Sequence, residues 1–322
     1  MIEKIADHFY MITLPMSYRP QHVHVFVLIH DGGVALFDTG VNSPETLAIL
    51  EQSLQSIGKN IQDIDQVFIT HYHMDHCGVA GRIKEISGAA IHMSEVDGQW
   101  LHYNQQEKVE ISQLKEVYRP HGIADRSIEG MGRLLNYFRK STSPFRVDQY
   151  LEFFEPRTIG DFTFEVIPAP GHTRGQACFF FRKEGFLLSG DHILPGNNPI
   201  LNPDPDVKEY RPLHSFLDSL QRIKELPVTK VYPGHGDPFT DLKKRIGEIE
   251  TRYEACKGLI LASVKQKPQT TLQISQTIFG NDPLANDQFV AVNETYSCLR
   301  ELQEEGLIMT MQMKDNILYG AV

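Results

Sequence analysis

The sequence predicts a mixed α/β protein whose chemistry gathers at strand ends. Short apolar runs alternate with longer amphipathic ones along the 322 residues, and several of the short runs stop on a histidine or an aspartate. An apolar share of 41% can build a large core. The length exceeds one typical domain, so one large domain with an appendage is expected.

The elements follow in order. His22 to Ile29 and Val34 to Phe37 read as a hairpin around Asp31-Gly32-Gly33. Ser43 caps a helix running to about Ser56, with Pro44 in its first turn. Val67-Phe68-Ile69-Thr70 is a buried strand, and Gly78 to Ile86 opens the next helix. Ala89 to Met93 is a short strand. Thr158 to Ile167, Gln176 to Arg182 and Phe186 to Ser189 are further strands. Leu213 to Leu226 reads as a helix and Val228 to Tyr232 as a strand.

The richest stretch is Thr70-His71-Tyr72-His73-Met74-Asp75-His76-Cys77-Gly78, with four candidate metal ligands in six residues. It occupies a strand-to-helix turn, where side chains project past the carboxyl end of a sheet. Residues two apart on an extended chain face the same way, so His71 and His73 can grip one ion. Asp75 and His76 lie where the chain turns and can face a neighbouring site. Imidazoles with a carboxylate suit zinc, iron or manganese better than calcium. Cys77 reads as a small packed residue.

The run His-x-His-x-Asp-His resembles the signature of the metallo-β-lactamase superfamily. Other segments match in order: Phe37-Asp38-Thr39-Gly40, then runs ending on His172, Asp191 and His235. The resemblance covers roughly residues 1–245. It implies a four-layer αββα sandwich with metals where strand ends converge. It implies that His71, His73 and His172 hold one divalent ion, that Asp75, His76 and His235 hold a second, and that Asp191 bridges both. Asp75 and Asp191 are the catalytic carboxylates of this reading, and Asp38 supports the ligands. Zinc is the expected metal, with iron or manganese as alternatives. Two ions sharing a water would generate the nucleophile for hydrolysis.

Two regions exceed the minimal fold. Residues 94–149 read as a helical insertion with Ser94 as an N-cap. Ile128, Met131, Leu135 and Phe138 form an apolar face. Arg126, Arg133 and Lys140 lie on another face, which is either solvated or a set of contacts for an anionic substrate. After Asp241 a long helix to about Gln266, two more helices near Leu272 to Phe279 and Phe289 to Glu305, and a terminal hairpin resemble a winged helix. The expected domains are therefore 1–245, catalytic, and 246–322, winged-helix-like. From Thr270 onward only Arg300 and Lys314 are basic, against seven acidic residues. This balance opposes nucleic-acid binding and points to packing on the first domain or to a homodimer.

The functional expectation is hydrolysis of a thioester or activated ester of a small metabolite, similar to glyoxalase II. Endoribonuclease, lactonase and mononuclear-iron sulfur dioxygenase are the enzymatic alternatives, and a metal-dependent regulator is the non-enzymatic one. Asn197 and Asn198, in the loop from Leu194 to Pro212, and His22 are further candidates for substrate contact. No stretch reaches the length of a membrane span. Met1 to Asp7 lacks the charged and apolar regions of a signal peptide, and the four cysteines are scattered in the sequence. Both observations predict a cytoplasmic protein.

Overall fold

Strand pairing follows the alternation of apolar side chains. The computed structural model describes residues 1–106, 110–201, 209–280 and 285–322. One sheet contains β1 (Ile2–Ala6), β2 (Phe9–Pro15), β3 (His22–His30), β4 (Gly33–Phe37), β5 (Ile64–Phe68), β6 (Ala90–Met93) and β7 (Gln149–Tyr150), in that spatial order. The pairings are antiparallel up to β4 and parallel beyond it. The second sheet runs β12-β11-β10-β9-β8, built from β8 (Pro156–Ile159), β9 (Phe162–Pro168), β10 (Ala177–Phe181), β11 (Phe186–Gly190) and β12 (Lys230–Pro233). Only β11 and β12 pair in parallel there.

Successive strand residues face opposite sides, and this builds two cores. On β3, Phe26 and Leu28 face the second sheet, whereas Val23, Val25 and Val27 face away from it. The inter-sheet core is largely phenylalanine, with Phe9, Phe37 and Phe68 meeting Phe162, Phe164, Phe179 and Phe181. Rings cross edge-to-face at 5.1–5.5 Å, as between Phe9 and Phe181 and between Phe37 and Phe164; this geometry suits the aromatic quadrupole. The outer face of the first sheet is covered by α1 (Pro44–Ser56) through Leu50 and Leu54. It is also covered by α3 (Ala80–Ser87) through Ala80 and Ile83. Ser43 caps α1 as its sequence suggests, accepting from the Thr46 N–H. Between β5 and α3 lies the short α2 (Met74–Cys77).

The chain divides into two compact units. The first is Met1–Glu107, Phe138–Pro199 and Arg222–Leu242. The second is Lys108–Tyr137, Ile200–Gln221 and Lys243–Val322. This differs from the contiguous boundary expected near residue 245. The insertion forms α4 (Glu95–Gln106), α5 (Ile111–Tyr118) and α6 (Asp125–Lys140), and its middle belongs with the tail rather than with the sheets. After α7 (Pro212–Lys224) the tail forms α8 (Leu242–Gln266), α9 (Thr271–Phe279), α10 (Ala285–Glu304), β13 (Ile308–Met313) and β14 (Asn316–Ala321). Ile123 and Ile128 of the insertion share a buried cluster with Phe289 and Val292 of α10. The Tyr118 ring meets Phe289 edge-on at 5.2 Å. Ile128 and Met131 of the expected apolar face thus find their partner far downstream in the chain, whereas Leu135 is 37% exposed and Phe138 belongs to the first unit, its ring 6.2 Å from that of Tyr18. Gln269 pairs with Tyr319 beside the β13–β14 hairpin.

Three other sequence expectations change. Thr158 to Ile167 is a hairpin rather than one strand, because Gly160 (φ +53°) turns the chain between β8 and β9. Strands β1 and β2 escaped the sequence reading; Glu3 and Lys4 interrupt the apolar residues of β1, whereas β2 is a nearly continuous apolar run from Phe9 to Leu14. Cys256 and Cys298, distant in sequence, lie within hydrogen-bonding reach of one another as free thiols. Within the loop from Leu194 to Pro212, residues 202–208 lie outside the described residues, as do residues 107–109 of the insertion. Among the described residues no helix is long and apolar enough to cross a membrane.

The Phe289 cluster generates a prediction. Phe289→Ala should cost about 3–5 kcal/mol, as deletions of buried rings do. The first urea transition should move to lower denaturant, and the segment 110–137 should become sensitive to limited proteolysis. Unchanged proteolysis of that segment would show that the insertion does not depend on α10.

Candidate metal centre

All seven proposed ligands lie in the first unit, each just past a strand end. His71 and His73 follow β5, and Asp75 and His76 sit on α2. His172 follows β9, Asp191 follows β11 and His235 follows β12. Backbone bonds tie these loops together: Gly234 N–H donates to the Gly190 carbonyl at 2.8 Å, and Ala177 N–H to the Thr70 carbonyl at 2.9 Å.

The ligand atoms form three overlapping groups: His71, His73 and His172; His71, His76 and Asp191; and Asp75, His76 and His235. In each, the atoms lie within 4.8 Å of one another. His73 Nδ1 is 2.8 Å from His172 Nε2 and 3.1 Å from His71 Nε2. His235 Nε2 is 3.3 Å from Asp75 Oδ2 and 3.4 Å from His76 Nε2. Asp191 spans the groups, with Oδ1 3.3 Å from His76 Nε2 and 3.4 Å from His235 Nε2, and Oδ2 3.6 Å from His172 Nε2.

Neighbouring acceptors fix the imidazole tautomers. His76 Nδ1–H donates to Asp38 Oδ2 at 2.8 Å, and His235 Nδ1–H donates to the His22 carbonyl at 2.6 Å. His71 Nδ1–H faces Thr70 Oγ1 at 3.0 Å, and that hydroxyl donates to Asp38. Each of these rings therefore presents Nε2 to the centre, the arrangement that metal-binding histidines use. Asp38 holds its position in the left-handed backbone region, at φ +57°.

The donor set fits divalent cations on three further grounds. Buried Asp191 Oδ1 has no hydrogen-bond partner in the structure. A Cβ on Gly234 would come within 2.6 Å of that oxygen and 2.7 Å of His76 Cε1, so only glycine leaves room there. The charges also call for a cation. Burial, joined by the neighbouring imidazoles, pushes His71 well below the usual histidine range, and burial takes His73 down to about 3. Burial acts the same way on His76 and His235, but the Asp191 and Asp75 carboxylates outweigh it; His76 rises well above its usual value and His235 to about 10. Against their own burial, the same two imidazoles lower Asp75 and Asp191. Positive charge beside these carboxylates is thus favoured strongly, and ligands of this kind exchange protons for metal.

Other candidates fall elsewhere. His22 Nε2 accepts from the Gly236 N–H at 3.1 Å, and His24 Nε2–H donates to the Gly236 carbonyl at 2.9 Å, so both hold the His235 loop. Asn197 is exposed and Asn198 half-buried on the loop after Asp191. Arg126 and Arg133 are exposed on the part of α6 that belongs to the second unit. Cys77 is buried, its thiol donating to the Tyr72 carbonyl at 3.1 Å.

Sequence reasoning missed Asp97. This buried carboxylate accepts from Tyr72 N–H at 3.2 Å, from the Thr173 hydroxyl at 2.7 Å and from Gly175 N–H at 2.7 Å. It joins the His71–His73 turn, the loop after His172 and the first turn of α4. Burial raises its pKa to about 6 despite those donors. Its only sequence signal was its place three residues after Ser94, whose Oγ accepts from the Asp97 N–H.

Asp38→Asn tests the orienting role without straining the backbone, since asparagine also tolerates positive φ. One acceptor for Thr70 N–H or His76 Nδ1–H is lost. Metal affinity of the group around His76 should fall by roughly 10–100-fold in chelator competition. Wild-type affinity would remove Asp38 from the centre's support.

A family model for the metallo-beta-lactamase superfamily matches residues 18–235. The probable metallo-hydrolase YqjP of Bacillus subtilis is 27% identical over 322 residues, 96% of each chain. The acyl-coenzyme A thioesterase MBLAC2 of Gallus gallus is 30% identical over 194 residues, covering 59% of this chain and 62% of that one. The crystal structure of a metallo-beta-lactamase family protein from Thermus thermophilus matches with a TM-score of 0.85 at 26% identity, covering 99% of this chain and all of the other. The sandwich, the convergent ligands and the match over residues 18–235 agree: the chain belongs to the metallo-beta-lactamase superfamily.

Proposed function

We propose that the protein is a dinuclear metal-dependent hydrolase that cleaves a thioester or activated ester of a small metabolite. The observation that carries this reading is the two-sided placement of Asp191. One of its oxygens faces His76 and His235, the other faces His172. His71, His73 and His172 would hold one ion, Asp75, His76 and His235 the other, and Asp191 both. Bound divalent ions supply Lewis-acid polarisation and a nucleophilic water near neutral pH. The donor set suits zinc, with iron or manganese as alternatives.

The chain's own residues do the rest. His73 and Asp75 are half-buried and border the open side of the centre, whereas His71 and His76 close its floor. Asp38 and the His22 carbonyl keep Nε2 of His76 and His235 directed inward. Asp97 locks the turn that carries His71 and His73. The thioester class draws support from the similarity to the Gallus gallus acyl-coenzyme A thioesterase.

The tail reads as a winged-helix-like module that packs or dimerises and does not bind nucleic acid. Its acidic residues are largely engaged: Glu301 with Arg211, Glu294 with Arg252, and Glu305 with Lys257. From Thr270 onward only Arg300 and Lys314 are basic, too few for a phosphate backbone.

Elemental analysis of protein purified without chelator should give two ions per chain. Asp191→Ala should abolish turnover and lower the content of both ions, because one carboxylate serves two sites. A wild-type content of one ion per chain would sink the dinuclear reading. A screen of thioesters, lactones, phosphodiesters and short RNAs should show thioester hydrolysis first. Labelled single- and double-stranded nucleic acids should show no binding at physiological salt. Tight, salt-sensitive binding lost with residues 270–322 would favour a nuclease instead.

A further inference from the structure

The aromatic wall beside the open side of the metal centre bears on which substrate is taken. Tyr72 lies between the ligands His71 and His73, and its ring meets His73 at 4.8 Å. Trp100 of α4 stacks on Tyr72 at 3.8 Å with planes 23° apart. α4 is anchored at its first turn by Asp97 and by the buried Leu101. On its adjoining face, Val96, Trp100 and Tyr103 recur at spacings of four and three, so they form one stripe. That stripe stays open to solvent, at 37%, 36% and 55% exposure.

The stripe spans seven residues of helix, about 10 Å at 1.5 Å per residue. It is continuous with the metal centre through Tyr72. α4 carries no lysine or arginine. Stacking platforms for nucleotides come with cations for the phosphates; α4 has none of its own, and the neighbouring arginines are engaged elsewhere, Arg139 donating to the Gln105 carbonyl at 3.2 Å and Arg174 lying beside Asp97. A neutral apolar group is the occupant that this chemistry accepts.

We infer that Tyr72, Trp100, Tyr103 and Val96 form an acyl-binding wall, and that the preferred substrate is a thioester with an extended apolar acyl group rather than acetyl or another short one. This rests on the thioester reading above and narrows it. The scissile carbonyl would sit at the centre beside His73 and Asp75, and the acyl chain would run along α4.

Trp100 is the only tryptophan in the chain, so its fluorescence reports this wall alone. Two measurements on the full-length, zinc-loaded protein separate the inference from the thioester reading. The first is a fluorescence titration with decanoate against acetate. Decanoate should give a saturable change and acetate none. The second is the ratio of kcat/KM for decanoyl over acetyl thioesters. Trp100→Ala should lower that ratio about tenfold, Trp100→Phe should largely retain it, and the exposed substitution Tyr103→Ser should lower it about threefold. A decanoate signal without turnover of any thioester would discard the thioester reading and keep the apolar wall. Thioester turnover with a silent Trp100 and an unchanged ratio would keep the reading and overturn the wall. A Trp100 signal that follows protein concentration instead of ligand would assign the stripe to a second copy of the chain, and would overturn it too.

Discussion

Asp191 sets the terms for the rest of the fold. Its carboxylate is buried among imidazoles, with one oxygen unmatched by any hydrogen bond. An isolated buried carboxylate is costly, and the surroundings answer with positive charge. In the protein alone the Asp191 and Asp75 carboxylates favour the charged form of the His76 and His235 imidazoles, and those imidazoles in turn hold Asp75 and Asp191 low. A divalent cation held here would neutralise the same carboxylates and use the nitrogen lone pairs that otherwise crowd one another at 2.8–3.4 Å. His71 and His73, held neutral by burial, need not lose a proton to bind. The imidazoles of the cluster thus fall into two electrostatically different sets, His71 and His73 against His76 and His235.

Holding that carboxylate in place requires both sheets. β5 belongs to the first sheet and carries the turn with His71 to His76, while β9, β11 and β12 of the second deliver His172, Asp191 and His235. The phenylalanine core between the sheets fixes their separation, and close packing lets it do so rigidly. Small residues then allow the final approach. Gly234 admits Asp191 and His76, and a Cβ on Gly175 would fall within 2.5 Å of Asp97 Oδ1. The outer layer of the site is built from buried hydrogen bonds, from Asp38 to His76 and from Asp97 to the two loops flanking His73 and His172. Loss of either acceptor would leave unmatched donors in a buried place, where each costs about 1–3 kcal/mol.

The ligand set was legible because its information is local. A strand followed by His-x-His-x-Asp-His states both geometry and chemistry within one turn, and the later ligands close their own apolar runs. Asp38 was legible through its own short motif. Asp97 was not, because its partners Tyr72, Thr173 and Gly175 come together only when α4 docks beside the two loops. The single strand expected from Thr158 to Ile167 failed for a local reason. Gly160 and Asp161 make a two-residue turn, and the alternation on either side of it mimics one continuous strand. The apolar face of the insertion was legible as a helix face, but its destination was not. Ile128 and Phe289 are far apart in the chain, and nothing in either segment names the other.

The tail shows why a charge count over a segment misleads about its surface. Residues 270–322 are strongly acidic, yet Glu294, Glu301, Glu304 and Glu305 meet cations from earlier in the chain. Glu301, itself buried, accepts two bonds from Arg211 at 3.0 and 2.5 Å, the bidentate geometry that makes such pairs specific. Glu305 meets Lys257 at 2.6 Å. Exposed pairs of this kind contribute little stability, but Arg211–Glu301 is shielded and orients the start of α7 against α10. The acidity of the tail is therefore partly an internal complement to α7 and α8. The same helix α10 buries Leu299 and Leu302, so charge pairing and apolar packing act on one element together. That pairing and packing favour a tail serving the architecture of the second unit.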